Sequence, residues 1–108
     1  MGYWSYLKID CGGTQEATVK DFDGQTHNTH RLIYNAIGKC FYDFNGWAAG
    51  NMIAPLRLGI SRIEADPEAF RKYEPENKWG TAESALRYMK QVLAACLDYP
   101  NAKYEYSG

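Results

Sequence analysis

The two histidines are the first candidates for chemistry in this chain. His27 and His30 form an H-x-x-H pair, with Asp21, Asp23 and Cys40 nearby in sequence, a grouping that could contribute to a zinc site. Zinc sites usually present three or four ligands at close spacing, and no second cluster supplies the remaining ones. We therefore interpret both histidines as turn and cap residues and expect no metal site.

The three cysteines, Cys11, Cys40 and Cys96, are widely spaced and contain no C-x-x-C pair. An odd count of this kind favours reduced thiols and a cytosolic protein. A nucleophilic cysteine needs a neighbouring base and an orienting group, and the sequence identifies neither. We interpret Cys40 and Cys96 as core residues and Cys11 as a small residue before a turn.

No other motif supplies a catalytic group. The turn Gly12-Gly13-Thr14 lacks the lysine and the spacing of a phosphate-binding loop. The acidic residues between positions 64 and 83 fall at predicted helix ends and loops, where they complement the helix dipole. The sequence predicts no catalytic residues and no cofactor, and we expect a protein that is not an enzyme.

The segment from Glu74 to Thr81 is the strongest candidate for binding. It is a polar loop that carries one large ring and leads into a helix whose first N–H groups lack partners within the helix. Glu76, Asn77 and Trp79 could there contact an anion or a planar ligand. The structural alternative is that Trp79 folds back as a lid on a small core.

Three further residues complete the predicted binding set. Trp47, beside the Asn45-Gly46 turn, presents the same choice between surface contact and core lid. Tyr34 and Asn35 form a polar and aromatic pair in the preceding predicted helix. Rings with a polar edge are typical of half-buried positions and of binding surfaces.

Composition narrows the class of partner. The chain has 108 residues, the size of a single domain spanning 1–108, and a formal net charge of −1. Its lysines and arginines form no basic stripe, so we expect no direct binding to duplex DNA. The longest apolar runs fall well short of the ~20 residues that cross a bilayer, so we expect no membrane contact.

Periodicity predicts an α+β fold in which a small antiparallel sheet packs against about three helices. Alternating residues predict three strands: an N-terminal hairpin of residues 3–9 and 17–22, the second strand ending at an Asp23-Gly24 turn, and a C-terminal strand of residues 103–106 that pairs with the first. Helical spacing predicts a helix over residues 29–40 and a second over residues 50–65, with Pro55 in its first turn. It also predicts one or two helical turns from Asp66 to Tyr73 and the longest helix over residues 81–98. The last helix should pack Ala85, Leu86, Met89 and Leu93 on the sheet.

Several of these motifs together resemble a known family. The Gly-Gly-Thr turn, the Thr26-His27-Asn28 and Tyr34-Asn35 elements, and the block from Pro75 to Thr81 are similar to a family of small uncharacterised proteins of bacteriophages and prophages. The Pro-x-Asn-x-Trp-Gly-Thr block is the most specific part of the resemblance. The middle of the chain departs from the pattern, because residues 29–33 separate the Asn28 and Tyr34-Asn35 elements.

The resemblance implies a phage accessory protein that acts in the cytoplasm of the infected bacterial host. We expect it to bind and inhibit a host bacterial protein or protein complex, with a defence system as the favoured target, as anti-CRISPR proteins do. The alternative is a protein that sequesters a small nucleotide or a defence signalling molecule. In that case Trp79 or Trp47 would stack on the base, and the helix beginning after Thr81 would meet a phosphate.

Overall fold

The computed structural model describes the backbone of residues 2–10, 16–26, 29–74 and 80–107, and the side chains of all of these except residues 2, 3 and 23–26. The elements follow in the order β1 (Gly2–Asp10), β2 (Glu16–Thr26), α1 (His30–Ile37), a short 3-10 helix (Phe41–Phe44), α2 (Ala49–Ala65), α3 (Pro67–Arg71), α4 (Ala82–Asp98) and β3 (Lys103–Ser107). The predicted α+β fold is confirmed.

The sheet has the order β2-β1-β3, with both neighbouring pairs antiparallel. The predicted pairing of the C-terminal strand with the first is confirmed, and it places Leu7 opposite Tyr104. Successive side chains of a strand face opposite sides of a sheet. Ser5 and Leu7 are accordingly buried under the helices, whereas Trp4 faces outward.

β2 is longer than predicted, and the turn expected at Asp23-Gly24 is wrong. The strand continues to Thr26, because its ladder with β1 runs on to the pairs Gly2–Thr26 and Tyr3–Gln25. Asp23 and Gly24 lie at a register shift of this ladder, and pairing of the two residues beyond them continues the strand. The predicted break at Gly12-Gly13 lies outside the described residues.

α1 ends earlier than the predicted Cys40. Gly38 adopts a left-handed conformation with φ of 87°, and its N–H donates to the carbonyl of Tyr34 at 2.7 Å, which closes the helix. The N–H of Cys40 then donates to the carboxylate of Asp43 at 2.9 Å and starts the 3-10 helix. The predicted turn at Asn45-Gly46 is present, with Gly46 at φ of 86°.

The expectation that Pro55 lies in the first turn of its helix is wrong. α2 begins at Ala49, so Pro55 stands inside it and cannot donate to the carbonyl of Asn51 four residues earlier. Tertiary contacts extend the helix backward past this point. The N–H of Ala49 donates to the carbonyl of Ala102 at 2.7 Å, and both Ala49 and Met52 are fully buried.

The starts of the last two helices agree with the sequence. Asp66 caps α3 by accepting from the N–H of Ala69 at 3.3 Å, and Pro67 is the first helical residue. Thr81 caps α4 by accepting from the N–H of Ser84 at 3.0 Å. α3 itself stops at Arg71, short of the predicted Tyr73.

The buried face of α4 differs from the predicted stripe. Tyr88 and Val92 are buried, whereas Leu86 and Leu93 are only half-buried and Leu97 is 47% exposed. The helix lies between α2 and the sheet, so residues facing either neighbour are covered. On the sheet side, the Tyr88 hydroxyl lies 2.7 Å from that of Ser5. Within the described ranges, no helix combines the length and apolar character that crossing a bilayer requires.

Candidate functional site

The predicted binding loop is described only at its two ends. Glu76, Asn77 and Trp79 lie within 75–79, outside the described residues. At the near end, the carboxylate of Glu74 pairs with Arg71 at 3.3 Å and accepts from the backbone N–H of Ala82 at 2.6 Å. The loop therefore begins at a charged residue that is already bonded to the start of α4.

The first turn of α4 has its backbone donors engaged within the chain. The N–H of Ala82 meets Glu74, that of Ser84 meets the Thr81 hydroxyl, and that of Ala85 meets the Thr81 carbonyl at 3.0 Å. Glu83 completes the turn, and its carboxylate accepts from its own backbone N–H. A phosphate at this helix N-terminus would have to displace acceptors of the chain itself, which weakens the nucleotide alternative.

Arg71 links the loop to both neighbouring helices. Its guanidinium contacts Glu83 at 2.6 Å and Glu68 at 2.8 Å as well as Glu74. The hydrogen bond from Arg71 lowers the pKa of Glu83 to about 2. This cluster of charges is exposed, and we interpret it as a clamp that sets the position of α3 against α4.

Trp47 contacts the core. Its ring is half-buried and meets the buried Phe44 edge to face, with centroids 4.9 Å apart. The ammonium of Lys39 lies 5.5 Å above the ring. Its backbone carbonyl accepts from the N–H of Tyr104 at 2.9 Å, so the residue also lines the edge of the sheet. The core-lid alternative therefore describes much of what this tryptophan does.

Tyr34 and Asn35 are neighbours on the outer surface of α1. Tyr34 is 54% exposed. The amide of Asn35 donates to the carbonyl of Arg31 at 2.8 Å, a bond within its own helix. Tyr34 can contact a partner from this position. The Asn35 amide nitrogen already donates to Arg31, so this residue offers a partner mainly its amide oxygen.

A second exposed aromatic group surrounds Tyr42. Its ring is 50% exposed and lies edge to face with His30 at 5.5 Å and with Tyr106 at 6.1 Å. The buried Cys40 thiol beside it donates to the carbonyl of His30 at 3.6 Å, and burial raises the pKa of that thiol. A raised pKa disfavours the thiolate, so Cys40 is not set up as a nucleophile.

The face of the sheet turned away from the helices carries the most exposed large ring in the described chain. Trp4 is 63% exposed on this open face, on the central strand and opposite Ser107 at the end of β3. Two positions along β1, Tyr6 lies beneath the ammonium of Lys8, 5.0 Å from the ring centroid. Lys103 on β3 pairs with Glu105 at 3.1 Å and with Glu16 at 3.5 Å, which links the two outer strands across the face.

The strand alternation in the sequence places Trp4, Tyr6 and Lys8 on one side of β1, but it does not say which side is open. The side chains of Ser5 and Leu7 face the other way, and the helices lie on that side. The sequence alone therefore did not identify the open face as a site, although the alternation already grouped its residues on one side of the strand. Among the described residues, no group of three His, Cys, Asp or Glu side chains is placed to hold a metal, and His27 lies outside them.

The two outer edges of the sheet differ. The edge of β3 is covered by the segment after the 3-10 helix: Gly46 N–H donates to the carbonyl of Tyr104 at 2.8 Å, and Tyr106 N–H donates to Asn45 Oδ1 at 3.0 Å. Along the outer edge of β2, no strand pairs within the described part of the chain. A groove of about 380 Å³ runs between β2 and α4 there.

Comparisons with protein-family models, with curated proteins and with solved structures found no match.

Proposed function

We propose that this chain is a phage-encoded accessory protein that binds a host bacterial protein and inhibits it, with a defence system as the target, in the manner of anti-CRISPR proteins. The observation that carries the proposal is Trp4, a large ring 63% exposed on the open face of the sheet. Tryptophan is strongly enriched among the residues that dominate binding energy in protein interfaces.

The surroundings of Trp4 fit an interface anchor. Tyr6 adds a second ring on the same face, and Glu105 opposite it, with Lys8 and Lys103 beyond, provides charges of both signs beside the two rings. An apolar centre within a polar rim is the usual anatomy of a protein interface. The mixed charges also argue against a surface that imitates nucleic acid.

Protein binding is better supported than nucleotide binding. The nucleotide alternative needs free donors at the start of α4, and Glu74 and Thr81 occupy those of Ala82 and Ser84. Trp79, Asn77 and Glu76 stay predicted contacts, and Tyr34 is an exposed candidate on α1.

The proposal is tested by expressing the chain in bacteria that carry individual CRISPR or other defence systems and measuring the plaquing efficiency of a phage that each system restricts. We expect the wild-type chain to restore plaquing against at least one system. Trp4→Ala should abolish this effect, because truncating an anchor of an interface costs about 2 kcal/mol or more of binding.

Leu58→Ala is the matched control, since Leu58 is a large apolar side chain, 46% exposed, on α2 and away from the open face. The free energy of unfolding of each variant should lie within about 1 kcal/mol of the wild-type value, because neither side chain is buried. Failure of the wild-type chain to relieve any defence system would contradict the proposed inhibition. Equal activity of the Trp4 variant would remove the open face as the contact surface.

A further inference from the structure

The unpaired edge of β2 is a second surface with the geometry of a binding site. An edge strand directs alternate N–H and C=O groups away from its sheet, and only another extended backbone matches that row of donors and acceptors. The outward-facing backbone groups of β3 are hydrogen-bonded to residues 45–47. The described chain provides no such cover for β2.

Two irregularities limit the usable part of this edge. The register between β1 and β2 shifts once between Tyr3 and Ser5 and again between Leu7 and Lys8. Bulges of this kind twist an edge and interrupt pairing. Between them lies a regular stretch of β2 from Lys20 to Phe22, too short for a long strand and sufficient for a short peptide.

The same three residues form one wall of the groove beside α4. The opposite wall is supplied by α4, where Ala94 and Ala95 keep the surface low and Gln91, Asp98 and the following Tyr99 border it. Phe22 reaches the helix through Tyr88, with ring centroids 6.4 Å apart. A peptide added to β2 would therefore direct alternate side chains toward two small alanines.

The charge pattern argues against a second copy of this chain as the occupant. Antiparallel pairing of two identical strands about a two-fold axis places one residue opposite itself. Centred on Lys20 or on Asp21, it sets like charges opposite each other, and centred on Phe22 it sets Asp21 opposite Asp23. Like charges in directly opposite positions destabilise a strand pair.

We propose that the β2 edge and the α4 groove bind a short extended peptide segment of a partner protein, which adds to the sheet as a fourth strand. The segment has small apolar side chains facing α4 and a basic side chain on the open face opposite Asp21. This site is additional to the Trp4 surface, and its test does not depend on a defence system.

The preferred chemistry follows from which side each residue faces. Asp21 is opposite Tyr6 and faces outward, whereas Lys20 and Phe22 are opposite Leu7 and Ser5 and face the helices. The ion pairs of the described chain involve neither Asp21 nor Asp98, so Asp21 is available to a basic partner residue. On the groove side, Lys20 and Asp98 are of opposite charge, and the alanines favour small apolar side chains.

The probe is a fluorescein-labelled, end-capped heptapeptide of sequence Lys-Val-Lys-Ala-Lys-Val-Lys, whose alternation matches the two sides of the site. Its affinity is measured by fluorescence polarisation, and its location by the change in amide chemical shifts of the ¹⁵N-labelled protein. We expect saturable binding with shifts centred on Lys20–Phe22. A peptide N-methylated at all of its interior residues should bind at least about tenfold more weakly, because it lacks the backbone donors that face β2 in either strand direction.

Two variants test the groove and the charge. Ala94→Trp fills the groove from an exposed position of α4, and Ala54→Trp on the exposed surface of α2 is its control. Ala94→Trp and Asp21→Lys should each weaken binding at least about tenfold, whereas Ala54→Trp should leave it unchanged. Circular dichroism confirms that each variant folds.

Three outcomes would overturn the proposal. The first is the absence of saturable binding at millimolar peptide. The second is equal affinity for the N-methylated peptide or for the Ala94→Trp variant, which indicates charge attraction without strand addition. The third is a concentration-dependent dimer with protected β2 amides in hydrogen exchange, which assigns the edge to a second copy.

Discussion

Replacing Gly59 with alanine should destabilise the protein, against the ordinary expectation for a glycine inside a helix. Gly59 lies within α2 and is buried. A Cβ at this position would stand 2.5 Å from Cγ1 of Ile37 and 2.7 Å from Cε of Met89. The glycine therefore allows α2 to lie close to α1 and α4.

The size of the effect follows from two opposing contributions. Carbon atoms in ordinary contact are about 3.5 to 4.0 Å apart, so the Ile37 side chain must move by about 1 Å. Crowding of this kind costs about 1 to 3 kcal/mol, whereas alanine gains up to about 1 kcal/mol over glycine in a helix. The terminal methyl of Met89 can move easily, so Ile37 decides the outcome, and we expect a net loss of about 1 kcal/mol.

The assay is the free energy of unfolding in urea, measured for the wild type, Gly59→Ala, Ile37→Ala, the double variant of these two and Ala54→Gly. Ala54→Gly, at an exposed position of the same helix, calibrates the helix-propensity contribution. The double variant Gly59→Ala with Ile37→Ala should lose less stability than the sum of the two single changes, because the clashing Cγ1 is gone. A Gly59→Ala protein more stable than the wild type would refute the close approach of the helices at this residue.

Three further predictions concern α2, the Arg71 cluster and the thiols. Pro55→Ala should raise the free energy of unfolding by about 1 to 2 kcal/mol, because it restores a helical N–H donor, and a lower midpoint in urea would contradict the placement of Pro55 inside α2. The Glu83 carboxyl should titrate near a pKa of about 2 in the folded protein, below its ordinary 4.5. The contribution of Glu83 to stability is then full above pH 4.5 and is lost as the pH falls toward 2. An NMR titration measures the pKa of this carboxyl, and Arg71→Gln should return it toward 4.5. Cys40 and Cys96 are 5% and 0% exposed, and burial raises the pKa of Cys96 to about 11, so neither should react with a thiol reagent at pH 8 until the protein unfolds; rapid labelling of the native protein at either residue would contradict their burial.

The sequence determined the features that depend on neighbours along the chain. Asp66 followed by Pro67, and Thr81 before a helical stripe, specify helix starts because capping involves residues within one turn. Alternation predicted β1 and β3 and their pairing, since a strand that is apolar on one side must cover a core. The α+β class followed from these elements together.

Tertiary structure decided where local signals conflict with distant contacts. Pro55 indicates a helix start, yet α2 begins earlier because Ala49 bonds to Ala102. Asp23-Gly24 indicates a turn, yet these residues lie at a register shift within β2, and pairing of Gln25 and Thr26 with β1 continues the strand beyond them. Local preferences of this size are worth about 1 to 3 kcal/mol, which a few buried contacts exceed.

The candidate sites depend on the same distinction. Trp4, Tyr6 and Lys8 were predictably on one side of a strand, but only the position of the helices made that side the open one. The groove joins Lys20–Phe22 to Ala94 and Asp98, residues more than 70 positions apart, so no local pattern could indicate it. Which edge of the sheet is open is likewise decided by distant contacts. Residues 45–47 cover the outer edge of β3, whereas no strand of the described chain pairs with the outer edge of β2.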